Sequence, residues 1–172
     1  MKNLIYIIAL LLFLASCDET THLVDIKKGD VVFIGNSNST LSSAIDEVTK
    51  TKDNTSFSHM GIVDKVNDEI FIIHSNSYSG VCIEPLSLFR EKNGQPTDSL
   101  YFYRFDENLN ISYNDVLNKA HKTVGEPYNS TYIIQDSGYY CSEFIYYVFD
   151  AYDLFSLNPM TFKNPSTQEF ND

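Results

Sequence analysis

Residues 57–75 read FSHMGIVDKVNDEIFIIHS, two apolar runs rich in Ile, Val and Phe on either side of Asn67-Asp68. β-branched and aromatic side chains suit a pleated, half-buried surface, and an Asn-Asp pair tolerates the left-handed backbone that a tight hairpin needs. The stretch therefore predicts two antiparallel strands. Each arm carries one histidine, His59 and His74, and pairing about the turn puts both at the open end of the ladder, far from the turn. A lone histidine beside a strand is usually structural. Two placed to meet are candidates for chemistry.

Working outward, GDVVFIG at 29–35 is a further strand, closed by glycine. Residues 39–53 place Leu41, Ala44, Ile45 and Val48 at helical spacing behind a Ser39 or Thr40 cap. Downstream, 79–91 (SGVCIEPLSLFRE) predicts a strand ended by Pro85 and then a helical turn, and 99–105 (SLYFYRF) one more strand. A helix is expected over 112–125, with Ser112 as N-cap, Val116, Leu117 and Ala120 on one face and Gly125 as stop; a last helix runs from about Cys141 to Tyr152. This order predicts an α+β domain with a mostly antiparallel sheet or small barrel packed against helices. Asp64, Asp68, Glu69 and Glu84 read as solvated strand or turn residues, with a reserve role as carboxylates, and His121 has no assigned role.

The chain opens MKNLIYIIALLLFLASC, one lysine and then an apolar run from Leu4 to Leu14 that is too short for a bilayer span of roughly 20 residues. It reads as an export signal, and its ending, Leu-Ala-Ser-Cys, resembles the lipobox of bacterial lipoproteins. On that likeness residues 1–16 are a signal peptide and Cys17 is acylated. Residues 17–28 are a tether and 29–172 a single domain. Several acyl chains on one residue hold a protein durably to a membrane. The expected location is the cell envelope, as a membrane-anchored lipoprotein on the periplasmic side or at the cell surface. The net charge is −11, from 23 acids against 12 bases, which repels nucleic acid and anionic headgroups. Neither is an expected partner, and the protein is expected to be a monomer.

Export leaves two readings for the remaining cysteines, a Cys82–Cys141 disulfide or two free thiols. Cys141 stands in SGYYCSEFIYYVFD, residues 137–150, where a glycine-containing turn gives way to an apolar helical run. Unpaired N–H groups and the positive end of the helix dipole favour a thiolate there and can stabilise an oxyanion. A thiol nucleophile needs a base and a group to orient that base, which the two histidines supply. His59, His74 and Cys141 are also zinc-ligand types, but they lack the close local spacing of a typical zinc site. No metal or cofactor is expected.

GDVVFIG, FSHMGIV, GVCIEPLSLF, GEPYNSTYI and YYCSEFIYYVF, in that order, resemble the YaeF/YiiX (YebB-like) family of permuted papain-like amidases, a branch of the NlpC-type cysteine peptidases. The resemblance implies a circularly permuted papain-like fold in which histidine precedes cysteine. It implies Cys141 as nucleophile, His59 as general base and acid, and Tyr128 of the Gly125-Glu126-Pro127-Tyr128 segment as an oxyanion donor. The third polar position, commonly glutamate in the family, is His74 here. That departure resembles the Cys-His-His set of NlpC-type peptidases and of lecithin:retinol acyltransferase-like proteins. The implied activity is hydrolysis of amides in cell-wall peptides, short peptides or N-acyl small molecules through a thioacyl intermediate. A lipid acyltransferase or phospholipase, and a non-catalytic envelope binding protein, are the alternatives.

Overall fold

The computed structural model describes residues 25–35, 57–92 and 100–157. The leader, Cys17, most of the tether and the helix expected over 39–53 lie outside the described residues.

Within them the strands are β1 (Val31–Gly35), β2 (Phe57–Val66), β3 (Glu69–Asn76), β4 (Gly80–Pro85) and β5 (Leu100–Tyr103). The helices are α1 (Leu86–Lys92), α2 (Tyr113–Lys122) and α3 (Cys141–Phe149). The hairpin forms as its residues predict: Val66 pairs with Glu69, and Asn67 and Asp68 take positive φ of 49° and 65°. One five-stranded sheet results, in the order β4-β3-β2-β1-β5, with every neighbouring pair antiparallel. The last helix is shorter than expected; it ends at Phe149 and tightens into a 3-10 turn at Asp150–Tyr152.

Strand residues alternate between faces. Val31, Ile62, Ile73 and Val81 face α2 and α3, which press Val116, Leu117, Ala120, Phe144, Ile145, Val148 and Phe149 onto them. Val32, Ile34, Val63 and Ile72 face the other way, where Phe89 of α1 covers them. The sheet is thus buried on both sides.

Two polar anchors brace this frame. Arg104 donates to both carboxylate oxygens of buried Asp30, at 2.7 and 2.8 Å, and to the Asp25 carbonyl at 2.6 Å. Ile26 packs on the second cluster, so residues 25 and 26, read as tether, dock on the domain. Asp64 departs from its reading as a solvated residue. It is 2% exposed and paired with His121 at 2.7 Å and Lys28 at 3.4 Å, because its strand position turns inward where the His121 ring and the Lys28 ammonium can reach it. Among the described residues no helix is long and apolar enough to cross a membrane.

Candidate active site

The β2–β3 ladder runs from Val66↔Glu69 to Ile62↔Ile73, and beyond it the two strands are no longer paired. Val63 uses both its N–H and its C=O toward the β1 side, bonding the Asp30 carbonyl and the Gly29 N–H at 2.8 Å each. Bonding direction alternates along a strand, so the Met60 N–H turns the other way, toward the gap. The Cys141 sulfur occupies that gap, within hydrogen-bonding reach of the N–H groups of Met60, Ser142 and Cys141 itself. The first turn of α3 thus inserts where two strands part.

Local contacts hold α3 in place. The Ser75 hydroxyl donates to the Tyr139 carbonyl, and the Tyr139 N–H donates to the Pro127 carbonyl at 3.0 Å. Gly138, at φ +87°, lies so close to the Pro127 carbonyl that a side chain would collide with it. Only glycine lets the 125–128 segment and the residues before Cys141 lie together. At the third helical position, the buried Glu143 carboxylate accepts from the Tyr140 N–H at 3.2 Å and the Asn129 amide at 3.0 Å. Glu143→Ala leaves these donors without that acceptor and is expected to cost about 1–3 kcal/mol, read as a lower melting temperature, with Glu143→Gln intermediate.

On the sheet face covered by α1, His59 Nε2 and His74 Nδ1 are 2.8 Å apart, with the rings nearly perpendicular at 81°. The Phe89 ring lies against both, its centroid 5.9 Å from His59 and 4.9 Å from His74. Gly61 makes room between them, since a methyl there would stand 3.0 Å from His74 Cβ and 2.6 Å from Ile72 Cγ2. Burial, then the neighbouring His74, push the His59 imidazolium down to about 3, with Glu84 pulling the other way. Behind His74, its Nε2 lies 3.4 Å from Cys82 Sγ and 3.8 Å from Glu84 Oε2.

The permuted papain-like amidase enzymes of the YaeF/YiiX, C92 family have a sequence model that matches residues 25–171. This chain belongs to that family. Its fold is the permuted papain-like one, which a solved structure supports: "metalloprotein yiiX" from Escherichia coli O157:H7 superposes with a TM-score of 0.56 at 21% identity, over 75% of this chain and 67% of that one. No curated protein matches the sequence.

With the C92 fold in view, the expected residues fall as follows. The structure brings His59 to His74, and Cys141 to the backbone of the residue after His59. Among the described residues no hydrogen bond joins the Cys141 thiol to the His59 ring. Neither Cys82, on β4, nor Cys141, on α3, is in a disulfide, so the disulfide reading does not hold. The expectation of a thiolate at the helix start is also revised. The three N–H groups do favour the anion, but burial outweighs them and pushes the thiol up to about 11. Tyr128 lies close enough to Cys141 to feel its charge; burial, then a 3.4 Å hydrogen bond to the Tyr132 hydroxyl, raise its pKa and keep the phenol protonated as a donor.

Two groups escaped the reading of the sequence. Glu84, which its sequence context predicts to be solvated, is 5% exposed, and Cys82, which the sequence offers as a disulfide partner or a thiol, lies beside His74. Strand parity carries the signal that could have found them. Cys82 pairs directly with His74 across β3–β4, and Glu84, two residues on, shares its face. A cavity of about 460 Å³ was not legible at all. It is lined by apolar groups that include Met60, Phe33, Phe57, Phe155 and Ile145, the last one turn along α3 from Cys141.

Proposed function

We propose that the protein is a cysteine hydrolase of amide bonds, working through a Cys141 thioacyl intermediate and held at the cell envelope by acylated Cys17. One observation carries the catalytic reading: the Cys141 sulfur sits at a helix start against the N–H of Met60, the residue after His59, whose ring is paired with His74.

His59 Nε2 is engaged by His74, which leaves Nδ1 to take the thiol proton. Proton transfer accompanies attack, because at neutral pH the resting forms are thiol and neutral imidazole. Catalytic hydrogen bonds are often long in ligand-free sites and tighten around substrate, so the lack of a Cys141–His59 hydrogen bond among the described residues is compatible with this role. Sulfur attacks the carbonyl carbon, and the oxygen gains charge facing the N–H groups of α3's first turn and the Tyr128 hydroxyl. Collapse expels the amine, which takes its proton from His59. Water then attacks the thioester, His59 removes its proton, and the acid leaves with the thiol restored.

His74 orients His59 and passes on the field of Glu84, so the chain of groups ends in a carboxylate after all. The apolar cavity, lined in part by Met60, whose N–H meets the nucleophile, and by Ile145, one turn along α3 from it, suits an acyl group with an aliphatic or aromatic portion, as in an N-acyl compound or a peptide.

Intact-protein mass spectrometry after exposure to an envelope extract tests this reading. A mass added at Cys141, absent in Cys141→Ala and matching a peptide or N-acyl fragment, is the expected result. A fatty acyl group delivered only by phospholipid would instead make the protein a lipid acyltransferase or phospholipase. No adduct and no turnover would leave a binding protein.

A further inference from the structure

We infer that His74, Cys82 and Glu84 form a binding site for a divalent metal ion of the zinc class, on the far side of the histidine pair from Cys141. The three side chains project from one face of the β3–β4 ladder, where His74 and Cys82 are direct partners and Glu84 follows at the next position on that face. One donor atom from each lies within 4.8 Å of the others. The individual separations are 3.4 Å from Cys82 Sγ to His74 Nε2, 3.8 Å from His74 Nε2 to Glu84 Oε2 and 3.8 Å from Cys82 Sγ to Glu84 Oε1. A tetrahedral Zn²⁺ with bonds of about 2.0–2.3 Å needs donor–donor edges of roughly 3.3–3.6 Å. The His74–Cys82 edge is at that spacing already; the two 3.8 Å separations are to different Glu84 oxygens, and one donor atom from each residue brings all three within 4.8 Å.

The surroundings support a built site. Asn76 is locked in orientation, its Oδ1 accepting from the Tyr78 and Ser79 N–H groups at 2.9 Å each. Its amide nitrogen is thereby aimed at Cys82 Sγ, 3.2 Å away, as an N–H donor to a ligand sulfur. The far nitrogen of His74 meets His59, which fixes the ring, and Phe89 closes one side. A nitrogen, sulfur and oxygen donor set selects zinc-class ions over calcium or magnesium, which take oxygen ligands. Among the described residues these three are the protein ligands.

Metal at this site is coupled to the hydrolase proposed above, and this consequence alone rests on that reading. An ion that takes the lone pair of His74 Nε2 confines the ring proton to Nδ1. The His74–His59 hydrogen bond then runs toward His59, whose own proton is left on Nδ1, the nitrogen needed bare for the thiol proton. Loading the site silences the base.

Titration of the purified chain with Co²⁺ tests the site by absorbance. The expected result is sulfur-to-cobalt charge transfer and intense tetrahedral bands that saturate at one equivalent and are displaced by Zn²⁺. They are lost in Cys82→Ser, kept in Cys141→Ser and Cys17→Ser, and need at least about tenfold more Co²⁺ in Glu84→Gln. Absence of charge transfer, or its survival in a folded Cys82→Ser, overturns the site. Should Cys82→Ser fail to fold, protection of Cys82 from iodoacetamide by Zn²⁺ in the unaltered chain decides the same point, and equal labelling with and without Zn²⁺ overturns it. Model-amide hydrolysis is expected to fall on loading and return with chelator. Unchanged hydrolysis at saturating Zn²⁺ overturns the coupling and leaves the site standing, whereas no hydrolysis in either state overturns the hydrolase reading alone.

Discussion

Alkylation of Cys141 by iodoacetamide is expected to accelerate about tenfold for each unit of pH through the neutral range, or roughly a thousandfold between about pH 6 and about pH 9. The thiolate is the reacting form, and burial pushes the Cys141 thiol up to about 11. Every step toward that value multiplies the small anionic fraction. His59 does not alter this, because burial and His74 hold it neutral down to about 3, so it cannot keep a thiolate as a standing ion pair. The measurement follows the adduct on the peptide that holds Cys141, separately from Cys82, at a series of pH values. A rate that is flat across the neutral range would mean a preformed thiolate–imidazolium pair and would overturn the resting state described here. Replacing His59 by alanine is expected to change this alkylation little, although it removes the base.

Turnover responds differently. On the proposed mechanism Cys141→Ala is expected to abolish hydrolysis, since the thioester forms on its sulfur. His59→Ala is expected to lower kcat by about 10²–10⁴, or about 2.7–5.4 kcal/mol of barrier, with KM nearly unchanged. His74→Ala falls short of that. Its proposed part is to hold His59 at 2.8 Å and carry the influence of Glu84, and water can partly replace the lost partner. Steady-state kinetics on a single amide substrate, with circular dichroism to confirm folding, settles the order. Equal and complete loss in all three variants would show that His74 does more than orient.

Much of this architecture is legible in the residues. The Asn67-Asp68 turn fixes the hairpin because few other pairs accept two positive φ angles, and the hairpin in turn puts His59 against His74. The order of motifs places Cys141 at a helix start, where α3 begins. What was hidden depends on distant packing. Glu84 and Asp64 look like ordinary strand acids until Phe89 and α1 cover one, and Lys28 and His121 reach the other. The acidity of Cys141 is similarly unreadable from its neighbours in sequence, since helix position and burial oppose each other and only the folded surroundings decide which prevails.

The parting of β2 and β3 also bears on when the thiol becomes what it is. The hairpin closes between near neighbours in the chain and can form early, whereas the contact between Cys141 and Met60 joins residues far apart in the sequence and must wait for α3 to dock. Until then Cys141 has the acidity of any solvated cysteine, so a still unfolded chain is more exposed to oxidation at that sulfur than the folded protein. Docking of the last helix both assembles the site and shelters its sulfur.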